Sequence, residues 1–166
     1  GGWIAFIGYD ANVYIVSSDG SRQTQITFDG KPGKFISQPI VGYRNLNWSP
    51  DGNLLGMVRI DENGSRIQAI QIDDLTVIPL ISNMEGSFDW HPDGRSIIYS
   101  DVPYEKPEVR GNRPGGLSIL EIGTRKITPL IDPGPGLQFT HPNFAAQGGH
   151  YFFQIDVTPP PQGIAG

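Results

Sequence analysis

The chain has no cysteine and only three histidines in 166 residues. That excludes a disulfide framework, a thiolate metal centre and a thiol nucleophile, and leaves little imidazole for metal chemistry. Basic residues are scarce: 12 Lys and Arg stand against 17 Asp and Glu, a net charge of −5. A phosphate backbone would meet no surplus of positive charge, so no nucleic-acid partner is expected. No apolar run approaches the ~20 residues that cross a bilayer, so no membrane span is expected either. Alanine is rare as well, and isoleucine is far commoner than leucine, a balance that favours pleated surfaces over helices. What the chain does have is 22 Gly and 15 Pro, together with enough Ile, Leu, Val and Phe for a core. The composition points to a folded, turn-rich, all-β protein.

Repetition organises the turns. Trp48-Ser49-Pro50-Asp51-Gly52 recurs 42 residues later as Trp90-His91-Pro92-Asp93-Gly94. Each copy is followed by three strand-like segments: 54–58, 67–73 and 77–81 in the first, 96–100, 117–122 and 126–131 in the second. A repeat therefore reads as four strands, a to d. The start of the chain supplies b, c and d alone (3–7, 13–16, 25–27). The end supplies a degenerate a and b, with Thr140-His141-Pro142-Asn143 in place of the turn and Tyr151–Ile155 as the strand after it. Thirteen strands are expected, in repeats at about 1–27, 40–81, 86–131 and 137–157, making one domain over 1–157 with a Pro-rich tail or linker at 158–166. Pro79 and Pro129 fall in the last strand of their repeats, which marks those strands as outer edges. Asp19-Gly20 and Asn63-Gly64 suggest type I′ hairpin turns, and Gly52 and Gly94 should take the left-handed conformation after a Pro-Asp corner. Apolar residues on both faces of strands b and c imply cover on both sides. Four-stranded antiparallel units of this length, stacked on one another, describe a β-propeller.

The Trp-Ser-Pro-Asp-Gly segments and the strands in register behind them resemble the TolB-type, WD-like propeller repeat, most closely over 46–81 and 86–131. The resemblance implies blades of four antiparallel strands, about three to four of them present, within a larger or partner-completed propeller. It implies an exported bacterial protein, extracytoplasmic in the periplasm, the medium or the cell surface. The expected function is a non-catalytic protein-interaction or scaffolding module, whose partner is another protein or the remaining propeller segments. Relatives also include metal-dependent polysaccharide lyases and the propeller domains of serine peptidases, so a segment of an enzyme is one alternative. A structural subunit of a surface layer or filament is another. Unpaired edge strands would also permit a homo-oligomer, with strand a of the last repeat in one copy completing the first repeat of another.

In such a blade the b–c and d–a connections share one rim. The two longest connections, 28–40 and 102–116, belong to it, and their aromatic and cationic residues make it the preferred binding face: Phe28, Lys31, Lys34 and Phe35 on one, Tyr104, Glu105, Lys106, Arg110 and Arg113 on the other. The plainer alternative is that 102–116 is a tolerated insertion. His91 and His141 occupy the same motif position in successive repeats, and a metal reading would pair them with His150 and Gln147 or Asn143. No ligand spacing supports a metal, so both read as polar turn residues and no cofactor is expected. Trp48 and Trp90 read as core wedges, with Pro50, Asp51, Gly52, Pro92, Asp93 and Gly94 as the corners behind them. Gly116-Leu117-Ser118-Ile119 lacks the second glycine of a nucleophile elbow. Asp61-Glu62-Asn63-Gly64 is a hairpin rather than a calcium loop, and Asp73 and Asp74 point to opposite faces.

Overall fold

The computed structural model describes residues 2–34, 39–103, 115–132, 137–145 and 149–157. All of the regular structure among these residues is β, arranged in two compact units, 1–83 and 84–166. The Pro-rich tail proposed at 158–166 lies outside the described residues.

In the first unit, β1 (Trp3–Ile7), β2 (Val13–Ser17) and β3 (Gln23–Gln25) form a three-stranded sheet. β4 (Gly42–Trp48), β5 (Leu54–Asp61), β6 (Gly64–Gln71) and β7 (Val77–Ser82) form a four-stranded one. Within each sheet, every strand pairs antiparallel with its neighbour in sequence. The two sheets share a core of Val13, Ile15, Ile26, Tyr43, Leu55, Met57 and Ile70, with Trp3 and Trp48 packed against it. Leu55 and Met57 alternate with the equally buried Val58, and Ile70 with Ala69. Both faces of the middle strands are therefore covered, as a propeller blade requires.

In the second unit, β8 (Met84–Glu85) and β9 (Phe88–Trp90) both pair with β10 (Ser96–Pro103), which continues to β11 (Gly116–Glu121) and β12 (Ile127–Ile131). β13 (Leu137–Phe144) pairs with β14 (Tyr151–Val157). One strand expected from the sequence is thus two pieces, β8 and β9, interrupted at Gly86-Ser87. At the interruption the backbone passes close to β10: a Cβ on Gly86 would stand 2.9 Å from the Ser100 Cβ. Ile98, Leu117 and Phe139 form the core here, and the Ser100 hydroxyl donates to the Phe139 carbonyl at 2.6 Å, tying the two sheets together.

The prolines behave as outer-edge residues. β7 and β12 are the last strands of their sheets, Pro79 faces Gln68, and Pro129 faces Ser118. Beside each proline the ladder slips, between Ile67 and Gln68 and between Leu117 and Ser118. Without an N–H a proline cannot complete the pair, and its own strand bulges beside it, with Leu80 and Leu130 as the extra residues.

Gly52 and Gly94 have φ of 74° and 71°, the left-handed values their corners require. Asp51 holds its corner by accepting from the Ser49 hydroxyl at 2.7 Å and from the Asn53 amide at 3.1 Å. Asp93 does the same with the Arg95 amide at 2.8 Å, beside the His91 ring. The type I′ reading of the other two turns is corrected. Only the glycine of each pair is left-handed, Gly20 at φ 75° and Gly64 at 117°. Ser17–Arg22 instead repeats the corner geometry, with Asp19 accepting from the Ser17 hydroxyl and the Ser21 amide. The second hairpin turns on Glu62 and Asn63, with Gly64 already paired to Asp61.

The position of His141 is also corrected. His91 sits at the corner after β9, where its amide donates to the Ser96 carbonyl. His141 lies inside β13, in a bulge between Thr140 and Asn143, at φ 49°. Its counterpart in β4 is Asn45, at φ 52° in the bulge between Arg44 and Asn47. The true counterpart of Ser49 is Ala145, whose amide donates to the His150 carbonyl as Ser49 donates to Leu54.

Candidate interaction site

Antiparallel register puts Tyr43 of β4 opposite Arg59 of β5, and Arg59 opposite Arg66 of β6. Alternation adds Gln68 and Ile70 to the same face. The connection after β3 folds over the end of this face and is fixed there by a relay of hydrogen bonds. Val13 N–H donates to the Thr27 hydroxyl (2.9 Å), the Thr27 hydroxyl to Asn12 Oδ1 (3.2 Å), and Gly30 N–H to the same Oδ1 (2.8 Å). Asn12 is anchored in turn by donating Nδ2–H to Asp10 (2.8 Å), which also accepts from the Tyr14 hydroxyl. These bonds hold the Asp10 carboxyl below its ordinary range, Asn12 first and Tyr14 next.

So placed, Asp29 meets the strand ends. It accepts from the Tyr43 hydroxyl and from Arg59 Nε (3.1 Å) and Nη2 (2.8 Å). Arg59 Nη1 bonds Asp61, whose Oδ2 also pairs with Arg66 Nη2 at 3.1 Å. Two arginines and two aspartates thus make a neutral network. Its centre is nearly dry, the Arg59 and Asp61 side chains being 13% and 10% exposed, while Asp29 at its margin is half exposed. Burial alone would raise both carboxyls; Tyr43 and Arg59 outweigh it at Asp29, and the Asn63 amide and Arg59 outweigh it at Asp61, so both lie below the usual carboxylate range. Burial first and Asp29 second push the Tyr43 phenol up to about 12.

Three concavities adjoin this network. One of about 440 Å³ runs along the sheet face beneath Phe28, past Arg59, Arg66, Gln68 and Val77. A second, about 530 Å³, is lined by Phe6, Ile7, Tyr9, Pro39, Tyr43 and Ile60. A third, about 280 Å³, lies among Lys31, Ile40, Asp61 and Glu62. Their lips carry exposed apolar side chains: Tyr9 is 88% exposed, Phe28 71% and Ile40 62%.

Among the residues singled out from sequence, Phe28 and Lys31 line these concavities. Phe35, Tyr104, Glu105, Lys106, Arg110 and Arg113 lie outside the described residues. Trp48 packs on the first core, and Trp90 is buried edge-on to Phe88 with ring centroids 6.5 Å apart. His91 packs edge-on to Phe144, and His141 Nδ1 lies 3.2 Å from the Thr140 hydroxyl. Among the described residues no group of three or more His, Cys, Asp or Glu side chains could hold a metal, and no helix is long and apolar enough to cross a membrane. Sequence reasoning missed Asp29, Tyr43, Arg59, Asp61, Arg66 and Gln68. The available signal was charge at the inward positions of β5 and β6, Arg59 two residues from Met57 and Arg66 four from Ile70.

Residues 1–77 match the family model for the dipeptidyl peptidase IV N-terminal region. No curated protein matches the chain. Among solved structures, TolB from Acinetobacter baumannii superposes with a TM-score of 0.64 at 14% identity, over 92% of this chain and 37% of that one. A putative TolB from Agrobacterium tumefaciens gives 0.66 at 12% identity, over 95% and 55%. An oligogalacturonate lyase in complex with manganese gives 0.60 at 15% identity, over 87% and 38%. The chain is a TolB-like partial β-propeller in fold, and spans between 37% and 55% of the length of these structures.

Proposed function

We propose that this chain is a non-catalytic protein-interaction segment of a propeller that works outside the cytoplasm, completed by further propeller segments or by a partner chain. The observation that carries the reading is the apolar lip of the 530 Å³ groove, where Phe6, Ile7 and Tyr9 stand exposed around a concavity that is itself largely apolar. Exposed aromatics rimming a groove are the composition of interface anchors. The extracytoplasmic assignment leans on the likeness to TolB, and the segment-of-an-enzyme alternatives lean on fold likeness alone. A filament or layer subunit draws support from β1, whose outer edge has no paired strand among the described residues.

The test is affinity capture from an envelope extract, comparing the parent chain with a Tyr9→Ser, Ile7→Ser double variant. Both positions are exposed, so the variant should fold as the parent does. A stoichiometric polypeptide retained by the parent and lost by the variant supports the proposal. Retention indifferent to the variant, or recovery of the chain with a stoichiometric transition metal, overturns it.

A further inference from the structure

The cavity beneath Phe28 is lined by a buried polar group that makes no side-chain hydrogen bond among the described residues. Gln68 lies in the middle of β6, is 6% exposed, and pairs through its backbone with Met57 and Pro79. Its side-chain amide lines the 440 Å³ cavity and has no hydrogen-bond partner among the described residues. Buried amides are nearly always partnered, and an apolar side chain of the same length would serve the core better. Arg66, two residues earlier on the same face, gives one Nη2–H to Asp61 and has no other partner among the described residues, so its remaining N–H groups are left for the cavity it also lines. Ile26, Phe28, Leu75 and Val77 give the wall an apolar side, and on the other Asp29 is already engaged by Tyr43 and Arg59.

We infer that this cavity binds the carboxyl-terminal end of a peptide with an apolar last residue. The Gln68 amide, one donor face and one acceptor face, matches the last peptide bond. Arg66 lies about 7 Å further along the strand, within reach of the terminal carboxylate, and the apolar wall takes the side chain. A guanidinium with free N–H groups prefers a carboxylate to a neutral carbonyl. An internal acidic side chain offers the same carboxylate, so the two sources are separated in the test. The inference takes its ligand class from the protein-interaction reading, but its site is separate from the groove lip.

The probe is acetyl-Gly-Ser-Leu with a free carboxylate, titrated against the whole chain and followed by NMR at the Gln68 side-chain amide. Its C-terminal amide and an amidated acetyl-Gly-Asp-Leu are the comparison arms. The free acid should saturate with a Kd of about 1 mM, with both amidated peptides at least about fivefold weaker. Gln68→Met should weaken binding about tenfold and at the same time raise the melting temperature, because the unpaired amide is gone. A structural glutamine would instead lower it. No saturable shift with the free acid, equal binding by the neutral amide, tighter binding of the internal Asp, or a Gln68→Met variant that melts lower would each overturn the inference. The Tyr9 and Ile7 variant should bind the peptide as the parent does, so failure of the lip and failure of the cavity are told apart.

Discussion

Replacing Arg59 by Met removes the guanidinium on which the network of the first unit converges, while keeping a stem that fills most of the same space. The loss has two parts. Toward Asp29 two N–H donors disappear, but that carboxylate is 51% exposed and water replaces them, so this part costs about 1 kcal/mol. Toward Asp61, 10% exposed, water enters poorly. Asp61 retains the Asn63 amide at 2.9 Å and Arg66 Nη2 at 3.1 Å, so it is weakened rather than stranded, at about 2 kcal/mol. The sum, about 3 kcal/mol, sits at the lower end of what breaking a fully buried pair costs. Urea unfolding reads it through Trp3 and Trp48, which pack on the same core.

A pH series separates charge from packing. Both carboxyls lie below their ordinary range in the folded protein. The stability they contribute is therefore complete above the unfolded value of about 3.9 and is lost as pH falls through their folded values. The deficit of Arg59→Met should be full at neutral pH and shrink well below about pH 4. A deficit just as large in acid as at neutrality would place the cost in the packing of the aliphatic stem and refute the electrostatic account.

Two further substitutions test the backbone of this region. At Gly30 a Cβ would stand 2.6 Å from the Ala11 carbonyl carbon and oxygen, so Gly30→Ala should cost about 2–4 kcal/mol through overpacking and the loss of the bond to Asn12; a variant that unfolds at the parent's urea midpoint would contradict the close approach. At Gly52 nothing lies within 4 Å of the added atom, so Gly52→Val should cost about 1–3 kcal/mol from left-handed strain alone and Gly52→Asn distinctly less. The same pair of substitutions at Gly94, φ 71°, should rank alike, and equal losses for Val and Asn would argue against a strained corner.

The corners and edges were legible because each depends on a few adjacent residues. Pro-Asp-Gly dictates its own turn, and Pro79 and Pro129 announce an outer strand wherever the rest of the sheet goes. The charged network was not legible in the same way. Asp29 and Arg59 are 30 residues apart, and their meeting requires that β5 place its odd-numbered residues toward the first sheet while the connection after β3 is pinned by Asn12. Neither condition is written locally. Arg59, Asp61 and Arg66 look like solvated strand ends until the partner's position is known. Gln68 is hidden for the opposite reason: amid Ile67, Ala69 and Ile70 it looks like an incidental polar residue on an amphipathic strand, although it is nearly as buried as they are.

The slip at His141 has a separate cause, and it lies in the period of the strand itself. His91-Pro92 and His141-Pro142 invite superposition, and doing so displaces the last repeat by four residues. Four is even, so every side chain keeps its face and the hydrophobic alternation gives no warning. Hydrogen-bond register does discriminate: Arg44 faces Val58 and Asn47 faces Gly56 across one bulge, as Thr140 faces Gln154 and Asn143 faces Phe152 across the other. Each bulge turns on a left-handed residue, Asn45 or His141, both of a kind enriched in that conformation. With that register Phe144 takes the place of Trp48, and it packs against His91 at 4.8 Å. The histidine pair that suggested a shared ligand position thus resolves into a corner residue and a bulge residue, with different backbone demands and no common role.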